Sequence, residues 1–559
     1  MFPQFASSLA QLFSGYSIYI YLGLSALNAL LLFLISFKFL LVLQQSGYRR
    51  KPYLLWLNDK QTPYKSRLML LCMLAFLFFC VLNASFAPAI SDNGITSYIG
   101  FISYAVFLLL YFKSEKSVNA KIPLNKTRRL VRLSITYILI CVLLTFALIS
   151  AINILSFYLN KAPVSLLRYS LICFMPLFAP RLLSLANKIN EPFENAIKKG
   201  YVRRAKAKLD SSDVVKIAIT GSYGKTSVKE ILAVILGQKF RVLSTPLSYN
   251  TPQGIALTVN KLDSTHDVFI AEMGARFKGD IKALTDLVNP DFAILTGVNN
   301  QHLETFKSIE NVKATKNELF ENLKKDGVAF FCSDNEIAKD LSNLYNGEKY
   351  LAGQSGDDNL VVATEVVLGS SGVTFTLNVK GEQPVKCTTV LLGRHNVSNI
   401  CLASAVAYKM GMKPAEIAQG INRITSVGHR LELMPNNKGV VIIDDSYNSN
   451  VDGFKMAMEV IDKFEGRKIV LTPGLVELGK DENLYNYEMG KEMASHADKV
   501  IIIGTHNAEM LINGLVDGGF DRENILFSKS LSRGNETLNS IIREGDVVLF
   551  ENDLPDNYN

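Results

Sequence analysis

Among 559 residues there are only seven cysteines, and none stands in a C-x-x-C pair. Cys72, Cys80, Cys141, Cys173, Cys332, Cys387 and Cys401 are too scattered for a zinc cluster or a disulfide framework, and they suit a reducing compartment. No internal repeat or low-complexity tract is present, which sets aside repeat architectures. Charge is missing altogether from residues 16–37, a run of 22. Residues 68–87, 95–112 and 134–159 are equally free of it, and 166–180 nearly so. A membrane span needs roughly 20 apolar residues, so the pattern predicts five transmembrane helices within a membrane domain over 1–185. The first run is too long for a signal peptide and has no basic segment ahead of it. Five such runs with basic loops between them argue against buried core helices.

Loop charge sets the expected orientation. Arg49, Arg50, Lys51, Lys60, Lys65 and Arg67 follow the first run, and Lys113, Lys116, Lys121, Lys126, Arg128, Arg129 and Arg132 follow the third. Residues 88–94 carry no basic residue, and the stretch after the fourth run has only Lys161, with Arg168 beyond. The positive-inside rule then predicts a multi-pass protein of the cytoplasmic membrane, N-terminus outside and everything after about residue 185 cytoplasmic. Residues 1–210 hold 24 Lys and Arg against 6 Asp and Glu, a net +18, whereas the remainder nets −10. The positive charge reads as topology and contact with anionic lipid heads, not as nucleic-acid binding. Residues 186–212, with Lys198, Lys199, Arg203, Arg204, Lys206 and Lys208, read as a basic amphipathic connector near the membrane surface.

Beyond the connector the pattern changes. Short apolar runs at 214–219, 268–271, 292–295, 440–443, 469–472, 500–503 and 547–550 alternate with helical stretches. That alternation predicts parallel α/β sheets, enough for two domains, 213–392 and 393–559, with an antiparallel insertion between 361 and 389. The run 214–219 leads into Thr220-Gly221-Ser222-Tyr223-Gly224-Lys225-Thr226 and then a helical pattern, 228–236. A strand feeding a glycine turn and a helix start aims backbone N–H groups at an anion. The lysine reaches the outer phosphates and Thr226 can ligate Mg²⁺. The spacing is tighter than G-x-x-x-x-G-K-[ST], with two residues between Gly221 and Gly224. Glu272 ends the run 268–271, where a carboxylate can face a phosphate loop as a Mg²⁺ ligand. Asn299, Asn300, Gln301 and His302 follow the run 292–295, and Lys313 and Lys316 open a helical pattern, 313–323. Taken singly, a surface glutamate, a structural histidine and solvated helix lysines are the commoner readings of these residues.

Six ordered segments change that balance: TGSYGKTSVKE at 220–230, AEMGARFKGDI at 271–281, NNQHLETFKSIENVKATKNELF at 299–320, GRHNVSNICLASAVA at 393–407, GHRLE at 428–432 and DDSYNSNVDGFKMA at 444–457. Together they resemble the Mur ligase family of ATP-dependent amide-bond ligases, most of all the branch that adds D-alanyl-D-alanine to the cell-wall precursor. The resemblance spans residues 214–550. It implies a P-loop-type central ATP-binding domain and a Rossmann-like C-terminal α/β domain behind the α-helical membrane domain. Gly221, Ser222, Gly224, Lys225, Thr226 and Ser227 would hold the ATP phosphates. Asn396 and Asn399 would face the adenine, Arg430 would contact phosphate across the domain cleft, and Asp444, or its neighbour Asp445, would hold the ribose. Thr226, Glu272, His302 and a carbamylated Lys316 would ligate Mg²⁺. Lys225, Lys316, His302 and Arg430 carry the catalytic roles in this scheme, and Asn250, Thr251, Asp445, Tyr447 and Asn448 are the substrate candidates.

The implied chemistry is activation of a carboxylate by the γ-phosphoryl of ATP to an acyl phosphate, followed by attack of an amine. Positioning and neutralisation of charge dominate such a transfer. The partners implied are a UDP- or lipid-linked muropeptide, an amino acid, dipeptide or other amine, and membrane lipid. Two departures stand out. Apolar helices occupy the place of the small domain that reads a UDP-sugar, and the basic, glycine-containing segment expected after the last strand is replaced by Phe550-Glu551-Asn552-Asp553. Two other readings stay open: a poly-γ-glutamate-type ligase, and an ATP-driven transporter, to which the absence of charge from spans two to four is unfavourable.

Overall fold

The computed structural model describes residues 15–58, 64–86, 93–116, 124–155, 171–299, 303–435, 439–447, 449–476 and 478–553. The chain divides into two compact units, Met1–Ile197 and Lys198–Asn559.

The first unit is built from helices at Gly15–Ile35, Phe37–Gln45, Arg50–Asn58, Tyr64–Phe86, Asn93–Lys116 and Arg128–Leu155, followed by a 3-10 turn, Met175–Phe178. Its polarity is inverted relative to a water-soluble bundle. Leu77, Ile102, Leu139 and Leu143 are exposed, whereas Asn28 and Thr145 are buried. Asn28 Nδ2 donates to Thr145 Oγ1 at 3.0 Å, and Tyr104 donates to Asn28 Oδ1 at 2.9 Å. Interhelical hydrogen bonds inside an apolar exterior are how helices associate in lipid. Among the described residues three helical stretches are long and apolar enough to cross a membrane, Ile18–Ile35, Arg128–Ile152 and Leu171–Asp210, and two shorter apolar stretches are Arg67–Phe78 and Phe101–Ser114. Part of the fifth expected span, residues 166–170, lies outside the described residues. No break separates that span from the connector expected at 186–212. A single helix, Ala179–Asp210, runs through both and carries Pro192 within it. Arg132 grips Glu194 on that helix with two hydrogen bonds, of 2.6 and 2.9 Å.

In the second unit the strands run β1 (Val215–Thr220), β2 (Val242–Ser244), β3 (Val268–Glu272), β4 (Phe292–Leu295), β5 (Val328–Cys332), β6 (Lys349–Gly353), β7 (Val361–Gly369), β8 (Gly372–Val379) and β9 (Val385–Thr389). They form one sheet in the order β2-β3-β1-β4-β5-β6-β7-β8-β9. The parallel strands at its centre are buried on both faces, so they read as unbroken apolar runs. β7 to β9 pair antiparallel and alternate buried with exposed positions. They extend the edge of this same sheet, so the expected insertion is a continuation of it. The helices used below are α1 (Lys225–Leu236), α2 (Pro252–Val259), α3 (Asp280–Val288), α4 (Ile309–Glu321), α5 (Arg394–Lys409) and α6 (Pro414–Asn422).

The domain break expected before Gly393 falls later. Helices α5 and α6 lie in the core of the first sheet, where Val397, Ile400, Ile417 and Ile421 pack with Ile231 and Ile235 of α1. Their apolar faces belong to this core, and the chain leaves it only at the turn around Val427. There His429 and Leu431 both take left-handed backbone, with φ of 58° and 49°. A second sheet follows, built from β10 (Glu432–Met434), β11 (Val441–Asp445), β12 (Lys468–Thr472), β13 (Lys499–Ile503), β14 (Ile525–Ser528) and β15 (Val547–Glu551), with the helix α7 (Val451–Ile461) after β11. The order is β10-β11-β15-β12-β13-β14, parallel except for β10. Successive residues of a strand face opposite sides. Val470 and Ile502 accordingly pack in one core, Ile469 and Ile501 in the other.

Candidate active site

The site begins where β1 stops. Gly224 has φ 75° and heads α1. A Cβ on Gly221 would stand 2.0 Å from Thr296 Oγ1, and one on Gly224 would stand 2.8 Å from Asn399 Oδ1. Only glycine satisfies both the backbone and the space, and what results is a bare cradle of peptide N–H groups at a helix N-terminus. Lys225 folds over this loop and donates to the carbonyls of Gly221 and Ser222 at 2.7 and 2.9 Å. Burial pushes its amine down to about 8, Glu272 opposes that shift, and Arg430 adds to it. Ser227 is buried in the first turn of α1.

Glu272, wholly inside at the end of β3, is the hub of the next layer. Its Oε2 accepts from Thr226 Oγ1 at 2.9 Å and its Oε1 from Asn250 Nδ2 at 3.0 Å. Lys229 Nζ lies 3.5 Å from Oε2, and the backbone N–H of Glu272 donates to Thr245 Oγ1. Lys316 is buried on α4. Burial, and then the positive charge of Lys225, push its amine down to about 7, with Asp280 and Glu318 opposing. Glu318 accepts from the N–H groups of Gly279 and Lys282, which caps α3. Thr226, Glu272, Lys225 and Lys316 are thus linked, by the Thr226–Glu272 hydrogen bond and by the charges that Glu272 and Lys316 place near Lys225. His302 lies outside the described residues. Among the described residues no group of three or more His, Cys, Asp or Glu side chains is placed to hold a metal ion. The hard-oxygen donors available are Glu272 and the Thr226 hydroxyl.

The remaining expected residues divide. Asn399 abuts Gly224 and donates to Asn396 Oδ1, while Asn396 donates to the Leu392 carbonyl. Thr251 caps α2 by accepting from Gly254 N–H, a local structural use. Asp444 Oδ2 lies 2.7 Å from His429 Nδ1, and its Oδ1 accepts from Ser446 N–H. The Arg430 guanidinium stands 4.7 Å over the Tyr447 ring. Asn448 lies outside the described residues. Asp445 and Glu551 stand in register at the ends of β11 and β15. Burial pushes Asp445 up to about 6 against the pull of Arg430. Burial and the neighbouring Asp445 hold Glu551 well above the usual carboxylate range.

Four participants have no role assigned to them by the motifs. Lys229 sits one turn after Lys225, so the spacing i, i+4 on a helix was the signal for it. Asn299 joins the two sheets: its Nδ2 donates to Asn450 Oδ1 and Asp452 Oδ2, both at 2.9 Å, and its backbone N–H donates to Ser222 Oγ in the phosphate loop. Glu551 carries no motif. His395 lies inside the 393–407 segment with no role assigned to it; among the described residues its Nδ1 is buried without a partner, and burial and then Arg430 push that ring down to about 4.

Two family models match the chain: the Mur ligase middle domain over residues 219–407 and the Mur ligase, glutamate ligase domain, over 429–551. The gap between them coincides with the structural break. The chain is 29% identical over 350 residues to the UDP-N-acetylmuramoyl-tripeptide–D-alanyl-D-alanine ligase of Bacillus subtilis (strain 168), covering 62% of this chain and 75% of that protein. To the Escherichia coli (strain K12) ligase of the same name it is 30% identical over 293 residues, covering 52% of this chain and 64% of that protein. The fold is similar to the MurF ligase from Thermotoga maritima in complex with ADP, with a TM-score of 0.57 and 24% identity over 64% of this chain and 80% of that one.

Proposed function

The chain belongs to the Mur ligase family of ATP-dependent peptide-bond-forming ligases, and we propose that it is a membrane-anchored member that joins an amine to a carboxylate on a peptidoglycan precursor. The convergence of Lys225, Thr226 and Glu272 on one glycine cradle carries this reading. By the names of its relatives, the acyl substrate is a muropeptide of the UDP-N-acetylmuramoyl-tripeptide kind and the amine is D-alanyl-D-alanine.

Family members use ATP with Mg²⁺, and these residues suit both. At Gly221 and Gly224 there is no space for a side chain, and the backbone N–H groups at the start of α1 suit an anion. The Thr226 hydroxyl and the Glu272 carboxylate are the hard oxygen donors that a small divalent cation prefers. When bound, ATP with Mg²⁺ supplies the phosphoryl group that turns the carboxylate into an acyl phosphate open to attack by the amine. Lys225 would exchange its two loop carbonyls for phosphate oxygens. Arg430, which acts on the charge of Lys225, would add a second cation from the C-terminal domain. With its amine pushed down to about 7, Lys316 can add to carbon dioxide with loss of one proton, giving an anionic carbamate whose oxygen would join the Glu272 carboxylate and a His302 nitrogen as metal ligands.

The exposed leucines and buried asparagine of the first unit support anchoring in a bilayer, and its excess of basic residues supports contact with anionic head groups. Several helices exceed what a tether needs, and they stand in place of a UDP-sugar reader. Both points favour a lipid-linked muropeptide presented at the bilayer. The test is ADP release by the full-length chain in detergent, with D-alanyl-D-alanine and either a UDP-linked muropeptide or its lipid-linked counterpart. ADP should form only when acid and amine are both present, and kcat/KM should be higher on the lipid-linked acid. Equal efficiency on the soluble muropeptide would reduce the helices to a tether, and ADP release indifferent to both acceptors would remove the ligase reading.

A further inference from the structure

Lys229 is the one charged side chain of α1 that is entirely buried, with 0% exposure. A buried ammonium costs several kcal/mol unless its hydrogens are met. Here three oxygens from three segments meet them: Leu247 O at 2.5 Å, Glu230 Oε1 at 3.2 Å and Glu272 Oε2 at 3.5 Å. The Leu247 contact is the unusual one. Leu247 is 76% exposed and takes φ 48°, a left-handed conformation that leucine seldom adopts. Nothing in the packing of its side chain accounts for that backbone. What it achieves is to place the carbonyl on the ammonium of Lys229.

The rest of the loop depends on this geometry. Three residues on, Asn250 donates to Glu272 Oε1, and its carbonyl accepts from Gly274 N–H at 2.9 Å. The Asn250 side chain lies so close to Gly274 that a Cβ there would stand 2.6 Å from Asn250 Cγ. Tyr249 is similarly close to Gly254 at the start of α2. The segment 245–251 thus closes onto the end of β3 in one conformation, and Lys229 holds it from beneath.

We propose that Lys229 is a positioning residue: by binding the Leu247 carbonyl it locks the 245–251 loop onto Glu272, and so couples the phosphate-binding helix to capture of the acyl substrate. This rests on the sequence-based expectation that the loop carrying Asn250 meets that substrate. A counter-charge to Glu272 alone would need no contact with Leu247.

The experiment uses the full-length protein in detergent, with ATP, D-alanyl-D-alanine and UDP-N-acetylmuramoyl-tripeptide as the probe acid. Lys229→Met should lose hydrogen-exchange protection across 245–251 while β1 and β3 keep theirs. It should raise the KM for the acid about tenfold, as expected for loss of one charged hydrogen bond, with the KM for ATP unchanged. Leu247→Pro tests the same contact without touching the core, because proline cannot adopt a positive φ. It should raise the acid KM similarly, and the double variant should add little more. Glu230→Gln should behave as wild type. Unchanged protection over 245–251, or a fall in kcat with both KM values unchanged, overturns the proposal and leaves Lys229 a counter-charge. If wild type turns over neither this probe acid nor its lipid-linked counterpart, the substrate reading fails, and the exchange data on both variants still decide the role of Lys229.

Discussion

Thr226 on α1 donates its hydroxyl hydrogen to Glu272 at the end of β3, across 2.9 Å. The bond joins the phosphate loop of one strand to the carboxylate of its neighbour, and the two oxygens share one edge of the cradle. Glu272→Gln keeps the size of the side chain and removes its charge. Steady-state ADP release should fall by about two orders of magnitude in kcat/KM, with more Mg²⁺ needed for half-activation.

Among the described residues Lys225 donates only to carbonyls of its own loop, so its removal should spare the fold. Lys225→Ala should melt within a degree or two of wild type and lose ATP turnover. ADP formation near the wild-type rate would refute its assignment to the phosphates.

The Lys316 amine, held near 7, is available to carbon dioxide at neutral pH. Lys316→Ala should be inactive and stay so in added bicarbonate. In wild type, isotope-labelled bicarbonate should give a carbamate signal that the variant lacks. A fully active variant together with an unlabelled wild type would exclude the carbamate.

Asn299 ties the phosphate loop to the N-terminus of α7 in the second sheet. Asn299→Ala removes both side-chain bonds across that seam. Small-angle scattering should report a larger radius of gyration, reversed by a non-hydrolysable ATP analogue with substrate, and the KM for ATP should rise severalfold. Profiles identical to wild type in both states would mean that the cleft is rigid without this contact.

Asp445 and Glu551 are acids whose folded values are raised, so the stability they contribute is fully present below their ordinary values of 3.8 and 4.5 and is lost as pH rises from there through the folded values, about 6 for Asp445 and well above 4.5 for Glu551. Glu551→Gln leaves Asp445 to ionise beside Arg430 without a like charge. Its melting temperature should exceed that of wild type by a few degrees at pH 8 and match it at about pH 3.5. A variant less stable than wild type at pH 8 would show that the ionised pair is favourable there.

Much of this molecule was legible one segment at a time. The runs at 268–271 and 292–295 became β3 and β4 within one residue, and the pattern at 313–323 became the body of α4. The glycine turn between β1 and α1 was readable because Gly221, Gly224, Lys225 and Thr226 stand together within one turn of chain. Strands such as β2, β5 and β14 escaped, since a short apolar run cannot be told from a buried helix segment by period alone. The domain boundary escaped for a similar reason: the periodicity of α5 marks an apolar face and does not say which sheet that face covers.

The sequence by itself therefore determined the local chemistry: where phosphate can be cradled, where strands end, and which stretches avoid charge. Tertiary structure decided which groups are taken out of water together. Asp445 and Glu551 are 106 positions apart, and only the pairing of β11 with β15 makes them one acid pair. Lys229 looks like any solvated helix lysine until the 245–251 loop and Glu272 close over it. Desolvation and proximity set these charges, and both belong to contacts between distant segments, which a pattern along the chain does not contain.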